Sequence, residues 1–434
     1  MELDMLGIVV LIFSFIFFLV IGTPIAYSIG LSAVATMLVS FDTLPAFSTM
    51  AQRMATGLES FSLLAIPFFI LAGQLMNSGG IAMRLIEFAK VIVGRLPGGL
   101  ALVNVTANML FGAISGSAAA SASAIGTIMG PRMEKEGYEK SFSAALNVTS
   151  ATTGLAIPPS NILIVYSLAS GGASIAALFL AGYLPGILTG VALMLVAAVY
   201  AHKKKYPIAE KVPFRFAVKK FFDAIPSLMM LVVVIGGIIA GLFTATEAAA
   251  IAVVYSLILA LIYKEVTVKH LPQIIVNTVR TTGMVMLLIA ASIGLSWVMS
   301  FENIPETVSY ALLSLSSDPF VILLIINLAL LAVGIFMDMT PAVLIFTPIF
   351  LPIVTSQLGL DPIHFGIIMI LNLNVGLVTP PVGAVLFIGC SVAKLKIQDL
   401  VKPLIPFYIA MFVVLLLVTF IPELSLWIPD LFGY

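Results

Sequence analysis

Apolar runs that approach or exceed the length of a membrane span recur along the whole chain, among them residues 6–21, 62–76, 227–242, 274–298 and 404–421. A hydrocarbon core of roughly 30 Å takes about 20 residues of helix to cross, and the polar residues gather in the short gaps between the runs. The pattern predicts an all-α polytopic membrane protein with no stretch left over for a soluble domain. The runs fall into two sets in the same order: two spans, a loop, a third span, an amphipathic linker, a hairpin, a broken span and a last span. In the first set, taken as residues 1–205, these are 6–21, 24–40, 62–78, linker 81–95, hairpin 97–131, broken helix 138–170 and 174–201. Residues 206–222 read as a linker, and the second set occupies 223–434, with a hairpin at 319–356 and a broken helix at 362–393.

An internal repeat supports the two-set reading, as a duplicated architecture requires. Gly154-Leu-Ala-Ile-Pro-Pro-Ser-Asn161 is echoed by Gly376-Leu-Val-Thr-Pro-Pro-Val-Gly383, an offset of 222 residues. At the same offset, without a gap, Gly112-Ala-Ile-Ser-Gly-Ser-Ala118 falls on Gly334-Ile-Phe-Met-Asp-Met-Thr340. Five crossings per set is an odd number, so the second set is expected upside down relative to the first, as in inverted-repeat transporters.

Charge placement tests this topology. With the N-terminus outside, the loops at 79–96, 132–140, 202–222, 264–273 (with Arg280 just beyond) and 394–403 face the cytoplasm and hold 19 of the 20 Lys and Arg residues. Only Arg53 lies outside, which is the bias of the positive-inside rule. Reading either hairpin as a single crossing destroys the separation, so both are expected to re-enter the side they came from, with tips near Ser115–Ser117 and Gly334–Thr340. Both termini then lie outside, and the acidic Met-Glu-Leu-Asp start reads as a retained anchor, not a cleaved signal.

Composition narrows the function classes. The chain of 434 residues is 61% hydrophobic and 9% charged, with zero formal net charge and a mean hydropathy of +1.19. It has no basic stripe for nucleic acid. Its one cysteine, Cys390, sits in an apolar run, and His202, His270 and His364 are too scattered for a metal or catalytic cluster. No nucleophile–base constellation and no phosphate-binding glycine loop is present, so neither an intramembrane enzyme nor an ATP-driven pump is expected.

Candidate chemistry concentrates where helices must break. An unwound stretch at membrane depth is tolerated only where it lines a cavity or binds something. Half-helix C-termini offer carbonyls to a monovalent cation, and half-helix N-termini after the Pro-Pro pairs suit an anion; Na⁺ and a carboxylate are the expected ligands. A first Na⁺ site is expected from the hydroxyls of Ser115 and Ser117 with carbonyls of Gly154, Ile157 and Pro159. A second is expected from Gly334, Met337, Thr340, Gly376, Thr379 and Pro381. Ser160, Asn161, Thr152 and Asp338 are candidates for the substrate. The competing readings are close helix packing for the small residues, interhelical hydrogen bonds for Thr152, Ser160 and Asn161, and an N-cap for Asp338. Glu247, after Thr244-Ala-Thr246, reads as a helix start rather than as a site residue.

Four motifs in order, Gly112-x-x-Ser-Gly-Ser, Gly154-Leu-x-x-Pro-Pro-Ser-Asn, Gly241-x-Phe-Thr-x-Thr-Glu-Ala-Ala-Ala and Gly376-Leu-x-x-Pro-Pro-x-Gly, resemble those of the large membrane subunit of tripartite ATP-independent periplasmic (TRAP) transporters, over essentially the whole chain. The resemblance implies Na⁺-coupled secondary uptake by an elevator mechanism in a bacterial inner membrane, without an organic cofactor. It also implies two partners: a small membrane subunit of about four helices, and a soluble periplasmic protein that delivers the substrate. Substrates of the family are organic acids, chiefly C4-dicarboxylates and sialic acids, and the likeness leans towards sialic acid. A stand-alone Na⁺ symporter for divalent anions, which shares hairpins and broken helices but needs no binding protein, is the rival reading.

Overall fold

A computed structural model of the chain describes residues 2–78, 80–206, 214–264 and 266–434. Seven of its helices are long and apolar enough to cross a membrane, and two bent pairs bring the number to as many as nine among the described residues. In chain order the first set comprises α1 (Glu2–Val20), α2 (Ile25–Ser40), α3 (Thr43–Gly57), α4 (Ala65–Ser78), α5 (Ile81–Val93), α6 (Gly99–Ser115), α7 (Ala118–Lys135), α8 (Lys140–Ala156), α9 (Asn161–Ala169) and α10 (Ile175–Lys204). The second comprises α11 (Phe214–Ile239), α12 (Ala245–Ile262), α13 (Leu271–Phe301), α14 (Ile304–Leu315), α15 (Pro319–Phe336), α16 (Met339–Ser356), α17 (Pro362–Gly376), α18 (Ala384–Ala393), α19 (Ile397–Phe420) and α20 (Glu423–Leu431).

The stretch expected as a loop between the second and third spans is the helix α3. Gln52 and Arg53 make it too polar to span, and it turns by 65° into the segment Phe61–Asn77. An amphipathic helix lying along an interface satisfies its own backbone there, which an open loop at the hydrocarbon boundary would not. Of the expected linker at 206–222, residues 207–213 lie outside the described residues, and the rest from Phe214 onward already belongs to α11.

The helices pack in two groups. α1–α4 associate with α11–α13, while α6–α10 associate with α15–α20. Two short amphipathic arms join them: α5 lies against α6 and α11, and α14 against α13 and α16. Within the second group each hairpin's returning arm rests on the far half of the other set's broken helix, α7 on α18 and α16 on α9.

Glycines at the shared offset explain how each hairpin meets its broken helix. A Cβ on Gly154 would lie 2.3 Å from the Cα of Gly112, and one on Gly376 would lie 2.6 Å from the Cα of Gly334. In both sets the first hairpin arm and the helix before the break therefore cross backbone to backbone, which only small residues permit. Behind α8, Gly182 and Gly186 of α10 admit the Ala156 carbonyl and the Ile157 side chain in the same way.

Polar contacts fix the same interfaces. Asn108 on α6 donates to Asn104 Oδ1 (2.9 Å), Asn147 Oδ1 (3.1 Å) and Ser150 Oγ (2.9 Å), and its own Oδ1 accepts from Ser121 at 2.7 Å. In the second set Asn372 Nδ2 donates to Asn327 O and Oδ1, both at 2.8 Å. Interhelical hydrogen bonds in membranes average about 0.6 kcal/mol each, but Asn108→Ala removes several at once and strands buried partners. A loss of about 2 kcal/mol is expected, read as a lowered melting temperature of the purified chain in detergent; an unchanged melt would show that the cluster does not hold α6, α7 and α8 together.

At the base of the first hairpin, Tyr138 donates to Gly98 O (2.9 Å), and Glu139 pairs with Lys204 (2.7 Å) and accepts from Tyr200 (2.8 Å). The Lys204 ammonium, with Tyr200, holds the Glu139 carboxyl below the usual carboxylate range. The α12 start has the structural role its sequence suggests. Thr244 accepts from the Glu247 N–H at 3.3 Å while Glu247 Oε2 accepts from the Thr244 N–H at 2.8 Å, a reciprocal capping box.

Candidate functional site

The two hairpin tips and the two broken helices converge on one cavity of about 410 Å³. Its wall takes Ser117–Ala120 from the start of α7, Asn161, Ile162 and Val165 from the start of α9, Asp338–Thr340 from the start of α16, and Ala384 and Val385 from the start of α18. Four helix N-termini thus border the same space. The first N–H groups of a helix lack intrahelical partners and carry about half a positive charge in sum, so the cavity has the polarity of an anion site without a basic side chain on its wall.

Asp338 is the one carboxylate among the lining residues. It occupies the N-cap position of α16 but makes no side-chain capping bond, whereas Asp318 and Asp361 accept from the N–H groups of Phe320 (2.9 Å) and Ile363 (2.6 Å). Its side chain is exposed to the cavity. Asp338 thus sits at the α16 N-cap with its carboxylate on the cavity wall. The opposite wall comes from the other helix group: Gly73, Gln74 and Asn77 of α4 and Thr281 of α13. Reasoning from the breaks alone missed these four, because nothing in their local sequence marks which face of a long apolar helix meets a cavity.

The expected site residues do not all gather there. Ser115, Ser117, Asn161, Asp338 and Thr340 line the cavity; Thr152, Gly154, Ile157, Pro159, Ser160, Gly334, Met337, Gly376, Thr379 and Pro381 do not. Thr152 turns back to donate to Thr149 O (2.9 Å) within α8 and is fully buried. Gly154, Gly334 and Gly376 serve the two backbone crossings. Ile157 caps α8, and Pro159 and Ser160 are buried in the first break. In the second break Thr379 donates to Val375 O (2.6 Å) and Pro381 is exposed. Met337 caps α15 beside the α1–α2–α13 core. Both Pro-Pro bonds, Pro158–Pro159 and Pro380–Pro381, are cis.

Two hydroxyls near the first break and the first hairpin tip have spare hydrogen-bonding capacity. Ser160 Oγ is buried and has no hydrogen-bond partner, and Ser115 Oγ makes only long contacts of 3.4 Å to the Ser117 backbone. Near the second break two buried oxygens lack a partner, Asn372 Oδ1 and Asn374 Oδ1; the motif comparison passed over Asn374, five residues before Thr379, because Thr152 stands at its matching position.

The same architecture is found in a solved membrane transporter. The crystal structure of the Alcanivorax borkumensis YdaH transporter superposes with a TM-score of 0.64 at 13% identity, over 90% of this chain and 89% of that one. That likeness shows the fold alone, that of an all-helical polytopic protein. Sequence gives the family: residues 12–424 match the tripartite ATP-independent periplasmic transporter, DctM component. The chain belongs to that family, whose members are transport permeases and not enzymes. It is 57% identical to the uncharacterized protein YgiK of Salmonella typhimurium over 98% of both chains. It is 42% identical to the isethionate TRAP transporter permease DctMQ of Oleidesulfovibrio alaskensis, over 95% of this chain and 65% of that longer one. Permeases named for C4-dicarboxylate (Rhodobacter capsulatus) and sialic acid (Vibrio cholerae) are each 38% identical, over 95% and 98% of this chain and 96% and 99% of theirs.

Proposed function

We propose that this large permease takes an organic acid, delivered by a periplasmic binding protein, across the bacterial inner membrane in symport with Na⁺. A small membrane subunit of the kind fused into DctMQ completes its α1–α4/α11–α13 group. The observation that carries the reading is the cavity bordered by four helix N-termini. Isethionate, C4-dicarboxylates and sialic acid share an acid group, and the cavity offers backbone N–H groups to such a group in place of arginines. Sialic acid is the first substrate to test, with a C4-dicarboxylate as the alternative.

Na⁺ is assigned to the two breaks. Ser115, Ser117 and Ser160 with the carbonyls of Gly154, Ile157 and Pro159 would hold the first ion. Thr379 and Thr340 with the carbonyls of Gly334, Met337, Gly376 and Pro381 would hold the second. Bound there, the cations would balance Asp338 and the incoming anion. Support for a duplication comes from the paired glycine crossings, and support for an elevator comes from the division of the helices into two groups with the amphipathic arms α5 and α14 between them. With the basic loops inside, both termini are periplasmic.

The test is uptake of radiolabelled sialic acid into proteoliposomes holding this chain and its small subunit, with the binding protein outside. Wild type is expected to need both the protein and an inward Na⁺ gradient. Ser115→Ala and Thr379→Ala are expected to raise the Na⁺ concentration for half-maximal uptake severalfold; unchanged Na⁺ dependence in both sinks the ion assignment. Uptake without the binding protein would favour the stand-alone symporter reading.

A further inference from the structure

A second cavity, of about 270 Å³, lies away from the first, where α7, α8 and the end of α18 meet. Its wall holds three formally charged side chains, Glu134, Lys140 and Lys394. None of the three makes an ion pair or a side-chain hydrogen bond among the described residues, although ion pairs form nearby at Arg132–Glu87 and Lys204–Glu139. Ser143, also on the wall, is 4% exposed, and its Oγ is buried with no partner. A buried hydroxyl without an acceptor is costly, and here it shares the cavity wall with two ammonium groups that have no ion-pair partner among the described residues.

The matching place in the other set shows what a closed version looks like. At the shared offset, Ala144 corresponds to Gly366 and Ile388 to Tyr166. There the Tyr166 ring is fully buried against Gly366, where a Cβ would meet its Cε1 at 2.4 Å, and its hydroxyl donates to Pro362 O at 2.6 Å. The slot is filled and its one polar atom is satisfied. In the α7–α8–α18 slot no aromatic ring enters, and Lys140, Glu134 and Lys394 stand where the other set has Pro362, Ser356 and Gly172.

We infer that this slot is a ligand site for a small anion that also carries a hydrogen-bond donor, with Lys140 and Lys394 holding the anionic group, Glu134 taking the donor and Ser143 completing the anion's hydrogen bonds. Ammonium groups bind carboxylate and phosphate as point charges, and a carboxylate between them selects a ligand with an ammonium or hydroxyl next to its charge. A phosphoethanolamine group has this chemistry, whether free or as the headgroup of a phospholipid. The side on which the slot opens, the cytoplasmic one, rests on the charge-based topology; the ligand chemistry does not. A ligand here bridges the returning arm of the first hairpin to α18 and tightens both against α8.

The experiment is thermal unfolding of the purified full chain. In detergent it is titrated with O-phosphoethanolamine; in nanodiscs, phosphatidylethanolamine is compared with phosphatidylcholine. The wild type is expected to gain several degrees, with a Lys140→Gln/Lys394→Gln variant at least tenfold less sensitive, Ser143→Ala severalfold less, and Lys90→Gln, on another face, unchanged. A gain with the soluble probe supports a free ligand; a gain only in phosphatidylethanolamine, lost in the double variant, supports a lipid headgroup. No gain in either medium, or an equal gain in the double variant, overturns the site.

Discussion

Gly154→Ala is expected to cost the protein about 3 kcal/mol or more and to leave little folded chain in detergent. A new Cβ would sit 2.3 Å from Gly112 Cα, 2.5 Å from its carbonyl carbon and 2.8 Å from Ala113 N. All three are backbone atoms of α6, so no flexible side chain can yield, and the cost falls at the upper end of the roughly 1–3 kcal/mol typical of overpacking. The gain of up to about 1 kcal/mol from replacing glycine in a helix does not offset it. Gly334→Ala is the internal comparison. There the nearest atom, Gly376 Cα, lies at 3.2 Å, so a shift of a few tenths of an ångström suffices and the two effects nearly cancel. Size-exclusion profiles and melting temperatures of the two variants check this; equal behaviour would show that the α6–α8 crossing is not as tight as described.

The second large effect is expected at Gly73, and it should be a loss of transport without a loss of fold. Gly73 lies on α4, in one helix group, and a Cβ there would approach the carbonyl oxygen of Ser115, at the first hairpin tip in the other group, to 2.8 Å. The contact crosses the boundary between groups beside the cavity, so a side chain pushes the tip away from α4 while leaving the core of each group intact. Gly73→Val is expected to lower uptake at least tenfold with a melting temperature within a few degrees of wild type. Uptake near wild type would mean that α4 and the tip never need this approach, and would remove α4 from the working surface of the cavity. A collapse of the melting temperature would instead make Gly73 a folding residue.

How much of this was legible beforehand depended on the scale of the signal. Hairpin 319–356 and broken helix 362–393 read from the sequence coincide with α15–α16 and α17–α18, because long apolar runs, turn residues and Pro-Pro pairs act on the local backbone. The α3 helix was missed because Thr43–Gly57 is neither apolar enough to span nor marked by turn residues, so hydropathy alone reads it as loop. The glycines of the repeated motifs were read as ion ligands or packing points; the close backbone crossings show the packing use and leave their carbonyls as the proposed ion ligands, and since both uses favour glycine its recurrence does not separate them. Asp338 could be recognised as out of place at membrane depth, but whether it caps α16 or faces open space depends on a side-chain direction that spacing does not encode.

By itself, then, the sequence determined the membrane class and the family, because hydrophobicity and motifs are properties of short stretches read one at a time. Tertiary structure alone decided that four helix N-termini share one cavity with Gln74, Asn77 and Thr281 from the other helix group. It alone placed Lys140 and Lys394, 254 positions apart, on the wall of one second cavity. Such meetings are set by how helices cross, which depends on the shapes of both partners at once, and no stretch of chain contains that information on its own.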